Sequence, residues 1–406
     1  MRRRVVVTGC GVVSAAGNDL PSFWNSLLSG QCFIRPIRDF SAPGFERLMG
    51  AEVELPASNE LPAALDGDPR RGRAGHLALA ATRRALDDAG LSSGHDELDR
   101  TGMALGTTLG EERQVGDLSE KWGANGANGV DPGFFARSDN SRLATLVASH
   151  YGVGGPVLLC AAACSSGNAA IASAYDLVAS GSADAMIAGG VDTLTRSIYC
   201  GFQRMGALSK SICRPFDRRR DGVSFGEGAG MMVLEEFERA ARRGARIYAE
   251  IAGYGMSNDA YHITAPDPSG GGFARAMSQA LSTTGLSPAD IDYVSAHGTG
   301  TPLNDLGEIR AMKSVFAGSG RRVVTSSIKS MIGHTNGAAS AIEAVACALA
   351  LTHQAVPPTA NLEEPDPECD LDCVPGRGRE AKVGHCLNLA AGFGGFNVCV
   401  VMRRLP

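Results

Sequence analysis

Cys164 lies in a turn whose neighbours could make a cysteine reactive. The strand-like run Gly154–Leu159 precedes it, and a helical pattern from Ser166 to about Ser180 follows it. A cysteine at the start of a helix faces unpaired N–H groups and the positive end of the helix dipole. This position lowers the pKa of a thiol and favours a nucleophilic thiolate. The small residues around Cys164 leave room for a substrate, although they are as typical of a buried core cysteine.

Two histidines and a lysine lie in turns of the same kind. His297 begins the segment His-Gly-Thr-Gly-Thr after a strand-like run, and Lys329 and His334 stand five residues apart before another helical pattern. Each histidine alone is more often structural. Together with Cys164 they indicate acyl-thioester chemistry, in which the thiolate accepts the acyl group. Neutral imidazoles would then donate hydrogen bonds to a developing oxyanion or enolate.

Strands and helices alternate along the chain around these turns. We predict strands at Val5–Val7, Met103–Leu105, Ala183–Gly189, Gly230–Leu234, Arg246–Gly253, Ile291–Ser295, Val323–Ser326 and Val398–Met402. We predict helices at 19–30, His76–Ala89 (ended by Gly90), Ser141–Tyr151, Ser166–Ser180 and Phe273–Thr284. Residues 31–70 and 111–136 are interpreted as irregular, because they are polar or rich in glycine and proline. Apolar strands that alternate with helices indicate an α/β protein built in layers.

A weak internal repeat relates the turn at Cys164 to the turn at His334. The segment from Pro156 to Ser173 resembles the segment from Arg322 to Glu343, since each runs from a strand through a turn and a glycine into an alanine-rich helix. Two halves related in this way would bring their helix starts together at one site. We place the boundary near Gly253, which gives halves 1–253 and 254–406 that share one core.

Four motifs in this order resemble the β-ketoacyl-[acyl carrier protein] synthases, the elongating condensing enzymes of the thiolase superfamily. The motifs are the Cys164 turn, His297–Thr301, Lys329–His334 and Gly392–Gly395. The resemblance covers nearly the whole chain, from Val5 to Val401. It implies a thiolase-like fold with two similar halves in a five-layer α-β-α-β-α arrangement. It also implies a dimer, formed in relatives through part of the N-terminal half that could include Val157–Leu159.

The resemblance implies a decarboxylative Claisen condensation. Cys164 would take the acyl chain from the phosphopantetheine of an acyl carrier protein, and the N–H groups of Cys164 and Phe393 would form the oxyanion hole. His297 and His334 would bind the malonyl thioester carbonyl and assist decarboxylation, which gives a 3-oxoacyl-acyl carrier protein. No resident cofactor and no metal are implied, because the phosphopantetheine arrives on the carrier protein.

Other residues match the family near these turns. The resemblance makes Lys329 a candidate catalytic residue with Cys164, His297 and His334. Lys329 would need a partner close to the site, and Glu343 on the following helix matches that role. Asp305 and Glu308 resemble acidic residues that orient the histidine region. We interpret Glu343, Asp305 and Glu308 as support for the site.

Several further residues could contact the substrate. Thr299 and Thr301 match threonines that hydrogen-bond the pantetheine arm, although threonines in a glycine turn also cap the local backbone. Phe393 matches a gate over the acyl pocket, and its flanking glycines would permit the backbone rotation of a gate. Leu109 and Phe202 are candidates for the lining of the acyl pocket.

Some residues depart from the pattern of many fatty-acid synthases in the family. Ala390 and Ala391 stand where a Ser-Phe pair is common, and Phe396 replaces a threonine. These residues look closer to the ketosynthase subunit of type II polyketide systems, which works as a heterodimer with a chain-length partner. A fatty-acid or a polyketide/polyene pathway, and a homodimer or a heterodimer, are therefore both open at this point.

Two other classes of protein are alternatives. A chain-length subunit without catalytic activity would lack the nucleophile, so Cys164 argues against it. A coenzyme A thiolase would use a second cysteine as an acid where this chain has His334. Cys399 is the nearest C-terminal candidate for that cysteine, but it has the pattern of a strand residue.

Composition sets the remaining limits. The 406 residues are 44% hydrophobic with a net charge of -5, which is typical of a globular enzyme and argues against a nucleic-acid surface. Arg218–Arg220, Arg242–Arg243 and Arg70–Arg71 are candidate basic patches for an acidic carrier protein, or else solvated faces. The 11 cysteines show no CxxC pair, so we expect neither a disulfide framework nor a zinc site. No run is long enough to span a membrane, and we expect a cytoplasmic enzyme.

Overall fold

The structure is a computed structural model that describes residues 2–41, 45, 48–55, 72–91, 98–130, 133–134, 139–320 and 323–405. Arg70–Arg71, parts of the segment 31–70, and Arg322 lie outside these residues. Within them, no helix is both long and apolar enough to cross a membrane.

Strands and helices alternate along the chain, as the pattern predicts. The strands are β1 (Val5–Ser14), β2 (Arg35–Pro36), β3 (Met49–Ala51), β4 (Thr101–Gly106), β5 (Val157–Cys160), β6 (Ala185–Asp192), β7 (Phe225–Gly226), β8 (Gly228–Glu236), β9 (Ala249–Asn258), β10 (Tyr293–Ser295), β11 (Val324–Ser326), β12 (Ala355–Val356), β13 (Arg379–Glu380), β14 (His385–Gly392) and β15 (Phe396–Arg403). The helices are α1 (Leu20–Ser29), α2 (Arg73–Ala89), α3 (Glu112–Asn125), α4 (Ser141–Tyr151), α5 (Ser166–Ser180), α6 (Arg196–Arg204), α7 (Phe237–Arg242), α8 (Gly271–Thr284), α9 (Pro302–Phe316), α10 (Lys329–Ile332) and α11 (Ala339–His353).

Ten strands form one sheet that consists of two half-sheets with the same topology. The order is β11-β10-β14-β15-β9-β1-β8-β6-β4-β5, so the half-sheets meet where β1 pairs with β9. In the N-terminal half, β4 is parallel to β5 and β6, and β8 is antiparallel to β6 and β1. In the C-terminal half, β10 is parallel to β11 and β14, and β15 is antiparallel to β14 and β9. The internal repeat of the sequence is thus a repeat of strand order and direction.

The helices complete the layers. Helices α5 and α11 contact each other between the half-sheets, α2 packs on β1 and β8, and α8 packs on β9 and β15. Helix α4 lies beside α2, and α9 lies beside α8. The resulting α-β-α-β-α arrangement confirms the predicted fold class. It buries α5 and α11 at the centre, where the turns that precede them face one another.

Glycines and small residues permit this close packing. A Cβ on Gly106 would lie 2.4 Å from the backbone of Ser166, and a Cβ on Gly167 would lie 2.6 Å from the nitrogen of Ala341. Real Cβ atoms do not approach backbone atoms so closely, and only glycine fits at these two positions. The loop after β4, the start of α5 and the start of α11 are therefore locked together.

Several predicted boundaries need correction. The strand predicted at Val5–Val7 continues to Ser14, because Gly9 and Gly11 do not end it but lie against α2. Helix α2 starts at Arg73, three residues before the predicted start, and ends at Gly90 with left-handed backbone as predicted.

Residues 111–136 are not irregular throughout, because α3 occupies Glu112–Asn125. No residue of α3 is buried. Its apolar residues Val115, Leu118 and Trp122 have helical spacing, but the polar and glycine-rich sequence around them led to the interpretation of an irregular segment. The proposed boundary at Gly253 lies inside β9, which is the strand of the C-terminal half-sheet that pairs with β1. That boundary stays a prediction.

Candidate active site

Cys164, His297 and His334 line one pocket, together with Thr299, Thr301 and Phe393 among other residues. The pocket is lined by Cys164, just before α5, by the turn that begins at His297 after β10, and by His334, in the segment between α10 and α11. The two halves contribute to it from opposite sides, as the internal repeat predicts.

The backbone around Cys164 forms a tight turn before α5. Ala163 has a φ of 48°, a left-handed conformation that costs energy for a residue other than glycine. A Cβ on Gly392 would lie 3.0 Å from the Cys164 nitrogen, so Gly392 lets the strand before Phe393 approach that N–H. This approach brings together the two segments whose N–H groups the resemblance assigns to the oxyanion hole.

The pKa of the Cys164 thiol differs from the sequence-based prediction. Burial raises it to about 12, and the nearby Lys329 ammonium opposes that rise. The predicted lowering of the pKa by the helix start is therefore wrong for the free site, because the loss of solvation outweighs it. The thiol is partly buried and holds its proton near neutral pH.

His297 is held from its backbone side by Glu308. The Glu308 carboxylate accepts hydrogen bonds from the N–H groups of His297 at 2.6 Å and Gly298 at 2.8 Å. Burial raises the pKa of Glu308 to about 8. Glu308 has no exposed surface. Its two hydrogen bonds hold the backbone of the His297 turn, which agrees with its interpretation as support.

Lys329 and Glu343 form a buried ion pair behind His297. Each side chain is 1% exposed, and the Lys329 Nζ also lies 3.5 Å from the His297 Nδ1. Burial raises the pKa of Glu343 to about 7, and Lys329 opposes that rise. Because an ammonium only donates hydrogen bonds, its contact fixes His297 Nδ1 as an acceptor and leaves the proton on Nε2.

His334 is fixed by strand-like backbone bonds. Its N–H donates to the Ser224 carbonyl at 2.7 Å, and its carbonyl accepts from Gly226 at 3.0 Å. The ring stacks on Phe225 with centroids 6.2 Å apart and meets the His297 ring edge-on at 5.4 Å. Burial and the Lys329 charge lower the pKa of both imidazoles well below the ordinary value. Both histidines are therefore neutral, as the predicted chemistry requires.

Asp305 acts on the histidine turn from outside the pocket. Its carboxylate accepts hydrogen bonds from the N–H groups of Phe216 and Gly300, and from the Asn304 amide. Arg220 lies 3.8 Å away. Asp305 is completely buried and does not line the pocket, so it supports the turn without contact to substrate.

The basic run Arg218–Arg220 is paired within the chain. Arg218 contacts Glu364 at 2.5 Å, and Arg219 contacts Glu363 at 2.5 Å. Arg243 of the second candidate patch also pairs, with the buried Glu235. Arg218, Arg219 and Arg243 therefore have acidic partners within the chain, and a docking role for either run stays a prediction.

Thr299 and Thr301 line the pocket and also bond to each other. Their hydroxyls lie 2.9 Å apart, and the Thr301 N–H donates to the Thr299 hydroxyl at 3.3 Å. The backbone-capping role considered above is thus present. The pocket location also leaves these hydroxyls near any arm that enters.

Phe393 lines the pocket and is 36% exposed. The next two residues in the chain are glycines with positive φ, Gly394 at 85° and Gly395 at 78°. The Phe393 ring stacks on Phe202 with centroids 5.2 Å apart. Phe202 therefore lies at the pocket as predicted, whereas Leu109 does not line it.

The sequence analysis missed the segment that holds the Phe393 turn. Gly394 N–H donates to the Ile263 carbonyl at 2.8 Å, and the Asn258 amide donates to the Gly394 carbonyl at 2.8 Å. Asp259 accepts from the Asn397 amide at 2.7 Å, and both residues line the pocket. The polar run that contains Asn258 and Asp259 indicates a turn after a strand but gives no sign of the partner, which lies more than a hundred residues away.

Comparisons with known proteins agree with this geometry. Residues 2–240 match the family description "Beta-ketoacyl synthase, N-terminal domain", and residues 248–363 match "Beta-ketoacyl synthase, C-terminal domain". The chain is 40% identical to 3-oxoacyl-[acyl-carrier-protein] synthase 2 of Synechocystis sp., over 99% of this chain and 98% of the relative.

Two solved structures have the same fold over their full length. One is described as the ishigamide ketosynthase/chain length factor, with a TM-score of 0.94, 39% identity and 100% coverage of both chains. The other is a type II polyketide acyl-carrier protein in complex with its ketosynthase bound to the hexaketide, with a TM-score of 0.90, 32% identity and 100% coverage of both chains. The matched domains, the full-length relatives and the shared fold show that this chain belongs to the β-ketoacyl synthase family.

Proposed function

We propose that Cys164, His297 and His334 divide the work of a 3-oxoacyl-acyl carrier protein synthase, an acyltransferase of fatty-acid or polyketide biosynthesis. Cys164 attacks the thioester of an acyl carrier protein, so that a new C–S bond forms and the carrier thiol leaves. The N–H groups of Cys164 and Phe393 hold the oxyanion of this step. The thiol proton passes to a neutral imidazole of the pocket and then to the departing thiolate.

In the second step a malonyl carrier protein occupies the same pocket. Neutral Nε2–H groups of His297 and His334 donate to the malonyl thioester oxygen, so that the C–C bond to the carboxylate breaks and carbon dioxide leaves. The electron pair remains as an enolate, attacks the acyl carbonyl on Cys164, and expels the thiolate. Thr299 and Thr301 hydrogen-bond the pantetheine arm, and Phe393 gates the acyl pocket.

The observation that carries this proposal is the convergence of one cysteine and two neutral histidines in a single pocket, backed by the buried pair Lys329–Glu343. A thiolase mechanism has less support, because Cys399 is completely buried in β15 and does not line the pocket. A subunit without catalytic activity would not need this arrangement.

The first test is intact-protein mass spectrometry with a panel of acyl carrier proteins loaded with chains of different length and saturation. We expect an acyl adduct on the wild type and none on Cys164→Ala. Cys200→Ala is the matched control, since Cys200 is exposed on α6 and outside the pocket. An adduct that persists in Cys164→Ala, or no adduct on the wild type with any donor, would overturn the proposal.

The second candidate is a ketosynthase subunit that pairs with a chain-length partner. The relative described as a ketosynthase/chain length factor supports it, as do Ala391 and Phe396 beside the gate. Strand β5 forms the edge of the sheet, with Leu158 37% exposed, and could pair with a second subunit of either kind. A sedimentation mass near the 42.1 kDa of one chain would exclude a homodimer, and a cytoplasmic location stays a prediction.

A further inference from the structure

Asp192 is a buried carboxylate that none of these steps uses. It ends β6 and has no exposed surface. Its Oδ1 accepts hydrogen bonds from the Thr107 hydroxyl at 2.7 Å and the Leu109 N–H at 2.9 Å. Its Oδ2 accepts from the Thr108 N–H at 2.8 Å and the Gly337 N–H at 2.6 Å. Both oxygens of this carboxylate accept two hydrogen bonds, so an uncharged side chain could not replace it without the loss of at least one of them.

Three of these donors lie in the N-terminal half, at Thr107–Leu109 beside the Cys164 turn. The fourth is Gly337 in the C-terminal half, beside the His334 turn. The Thr107 carbonyl accepts a hydrogen bond from the Ser166 hydroxyl at 3.3 Å, two residues after Cys164. Gly337 follows His334 by three residues. A Cβ on Gly337 would lie 2.6 Å from the Thr108 nitrogen and 2.8 Å from the Asp192 Oδ2, so the turn after His334 packs directly on the loop behind the Cys164 turn.

The charge of Asp192 also acts on the nucleophile. Burial raises the pKa of Asp192 to about 6, and its hydrogen bonds oppose that rise, so the carboxylate is ionised above that pH. Asp192 and Glu343 raise the pKa of the Cys164 thiol, and Lys329 lowers it. His297 and His334, which share the pocket with the thiol, are neutral.

We infer that Asp192 is a positioning residue that fixes the His334 turn relative to the Cys164 turn. Its hydrogen bonds join the loop that supports the acyl-accepting cysteine to the turn that carries the second histidine, in addition to the close packing of Gly337 on Thr108 and of Gly167 on Ala341. The inference rests on the proposed function of those two turns. It adds that one buried carboxylate outside the pocket lining helps to hold the two turns at their separation.

The substitution Asp192→Asn tests the inference through two readouts with opposite expected directions. An asparagine accepts at one atom only. Its NH₂ group would face the Thr108 and Gly337 N–H groups at the Oδ2 position, or the Leu109 N–H and the Thr107 hydroxyl at the Oδ1 position, so at least one of the four bonds is lost. Misplacement of the His334 turn should slow malonyl decarboxylation by about 10- to 100-fold. Loss of the negative charge should instead speed the alkylation of Cys164 by iodoacetamide at pH 7.5 several-fold, because the thiolate is the reactive form. Cys200, which is exposed, serves as the internal reference for the reagent.

Two further variants separate the effects of charge, geometry and folding. Asp292→Asn is the matched control, because Asp292 accepts hydrogen bonds from the N–H groups of Gly384 at 2.8 Å and His385 at 3.1 Å outside the pocket. It should change neither rate. Thr107→Val removes the hydroxyl that donates to Asp192 and accepts from the Gly110 N–H, and it keeps the Asp192 carboxylate, so decarboxylation should fall without faster alkylation of Cys164. Thr107→Ser should restore decarboxylation, and this pair keeps the test possible if Asp192→Asn does not fold.

The outcomes are distinct. Unchanged decarboxylation in a folded Asp192→Asn, or a loss of decarboxylation together with slower alkylation of Cys164, overturns the inference. The acyl adduct on wild-type Cys164 is measured first, with the same carrier proteins. The absence of this adduct would reject the proposed function itself. If the wild type forms a normal adduct and the Asp192 variants contradict the expected rates, only the inference about Asp192 is rejected.

Discussion

Replacement of the Lys329 ammonium by an uncharged side chain should change how the rate of malonyl decarboxylation depends on pH. Lys329 is 1% exposed, and its Nζ lies 3.5 Å from the His297 Nδ1. Lys329→Met removes the charge and keeps a side chain of similar length. We expect the variant to decarboxylate malonyl carrier protein at neutral pH but to lose this activity as the pH falls.

The size of the effect follows from the distance. Two unit positive charges 3.5 Å apart repel each other by about 5 kcal/mol at an effective dielectric constant of about 20. This repulsion opposes protonation of His297 in the wild type, in addition to burial and His334. Without Lys329 the pKa of His297 rises, and an imidazolium would form at acidic pH. The wild-type rate should therefore stay flat from pH 8 to below 6, whereas the variant rate should fall as the pH drops through this range.

The same substitution should destabilise the fold. Glu343 would lose its only ion-pair partner among the described residues, and removal of one member of a buried pair costs about 3–5 kcal/mol. Its pKa is raised to about 7 in the folded protein and would rise further without Lys329. Since a raised carboxyl pKa favours the folded state at low pH, the destabilisation should be greater at pH 8.5 than at pH 6.

The assay is the loss of malonyl carrier protein by mass spectrometry between pH 5.5 and 8.5, with unfolding measured in parallel. Lys313→Met is the matched control, because Lys313 pairs with Asp370 on the surface. Lys329→Met/Glu343→Gln restores neutrality and should recover part of the stability but not the wild-type pH profile. If folded Lys329→Met keeps a flat profile down to pH 5.5, the charge on Lys329 does not set the state of His297.

Two further substitutions test the division of labour within the pocket. His334→Ala should lose malonyl decarboxylation by about 100-fold or more, as for a removed oxyanion donor, while acylation of Cys164 continues; equal loss of both steps in mass spectrometry would mean that His334 holds the fold. Phe393→Gly should remove the stack on Phe202 and relax the order in which acyl and malonyl carriers react, and unchanged kinetics with both carriers added in either order would reject Phe393 as a gate.

The sequence predicted the parts of this protein that depend on local pattern. The turns at Cys164, His297 and His334 each follow a strand and precede a helix. The apolar, glycine and alanine residues that form each strand, turn and helix lie within about twenty residues of one another, so a local pattern is enough to predict them. The internal repeat then predicted that two such turns meet at one site. Glu343 and Glu308 were assigned as support through the family resemblance, and the structure places them on the helices that follow these turns.

The parts that could not be predicted depend on residues distant in the chain. Asp192 looks like an ordinary residue at a strand end, and its role appears only when Gly337, 145 residues away, donates to it. The contact between Asn397 and Asp259 spans 138 residues and is equally invisible to periodicity. Helix α3 was missed for a different reason: its apolar stripe is short, at Val115, Leu118 and Trp122, and stands in a polar, glycine-containing sequence.

The prediction for the Cys164 thiol was wrong because two effects on its pKa oppose each other. The helix start and Lys329 favour the thiolate, but burial outweighs them and raises the pKa to about 12. Lys329 also lowers the pKa of His297 and of His334, so the free site holds a neutral thiol beside two neutral imidazoles. In the proposed mechanism the thiol proton must therefore move to a neutral imidazole as Cys164 attacks the thioester, and that imidazolium then returns the proton to the departing carrier thiolate. The oxyanion that forms in the same step would be held by the N–H groups assigned to Cys164 and Phe393, which offsets the cost of ionising a buried thiol.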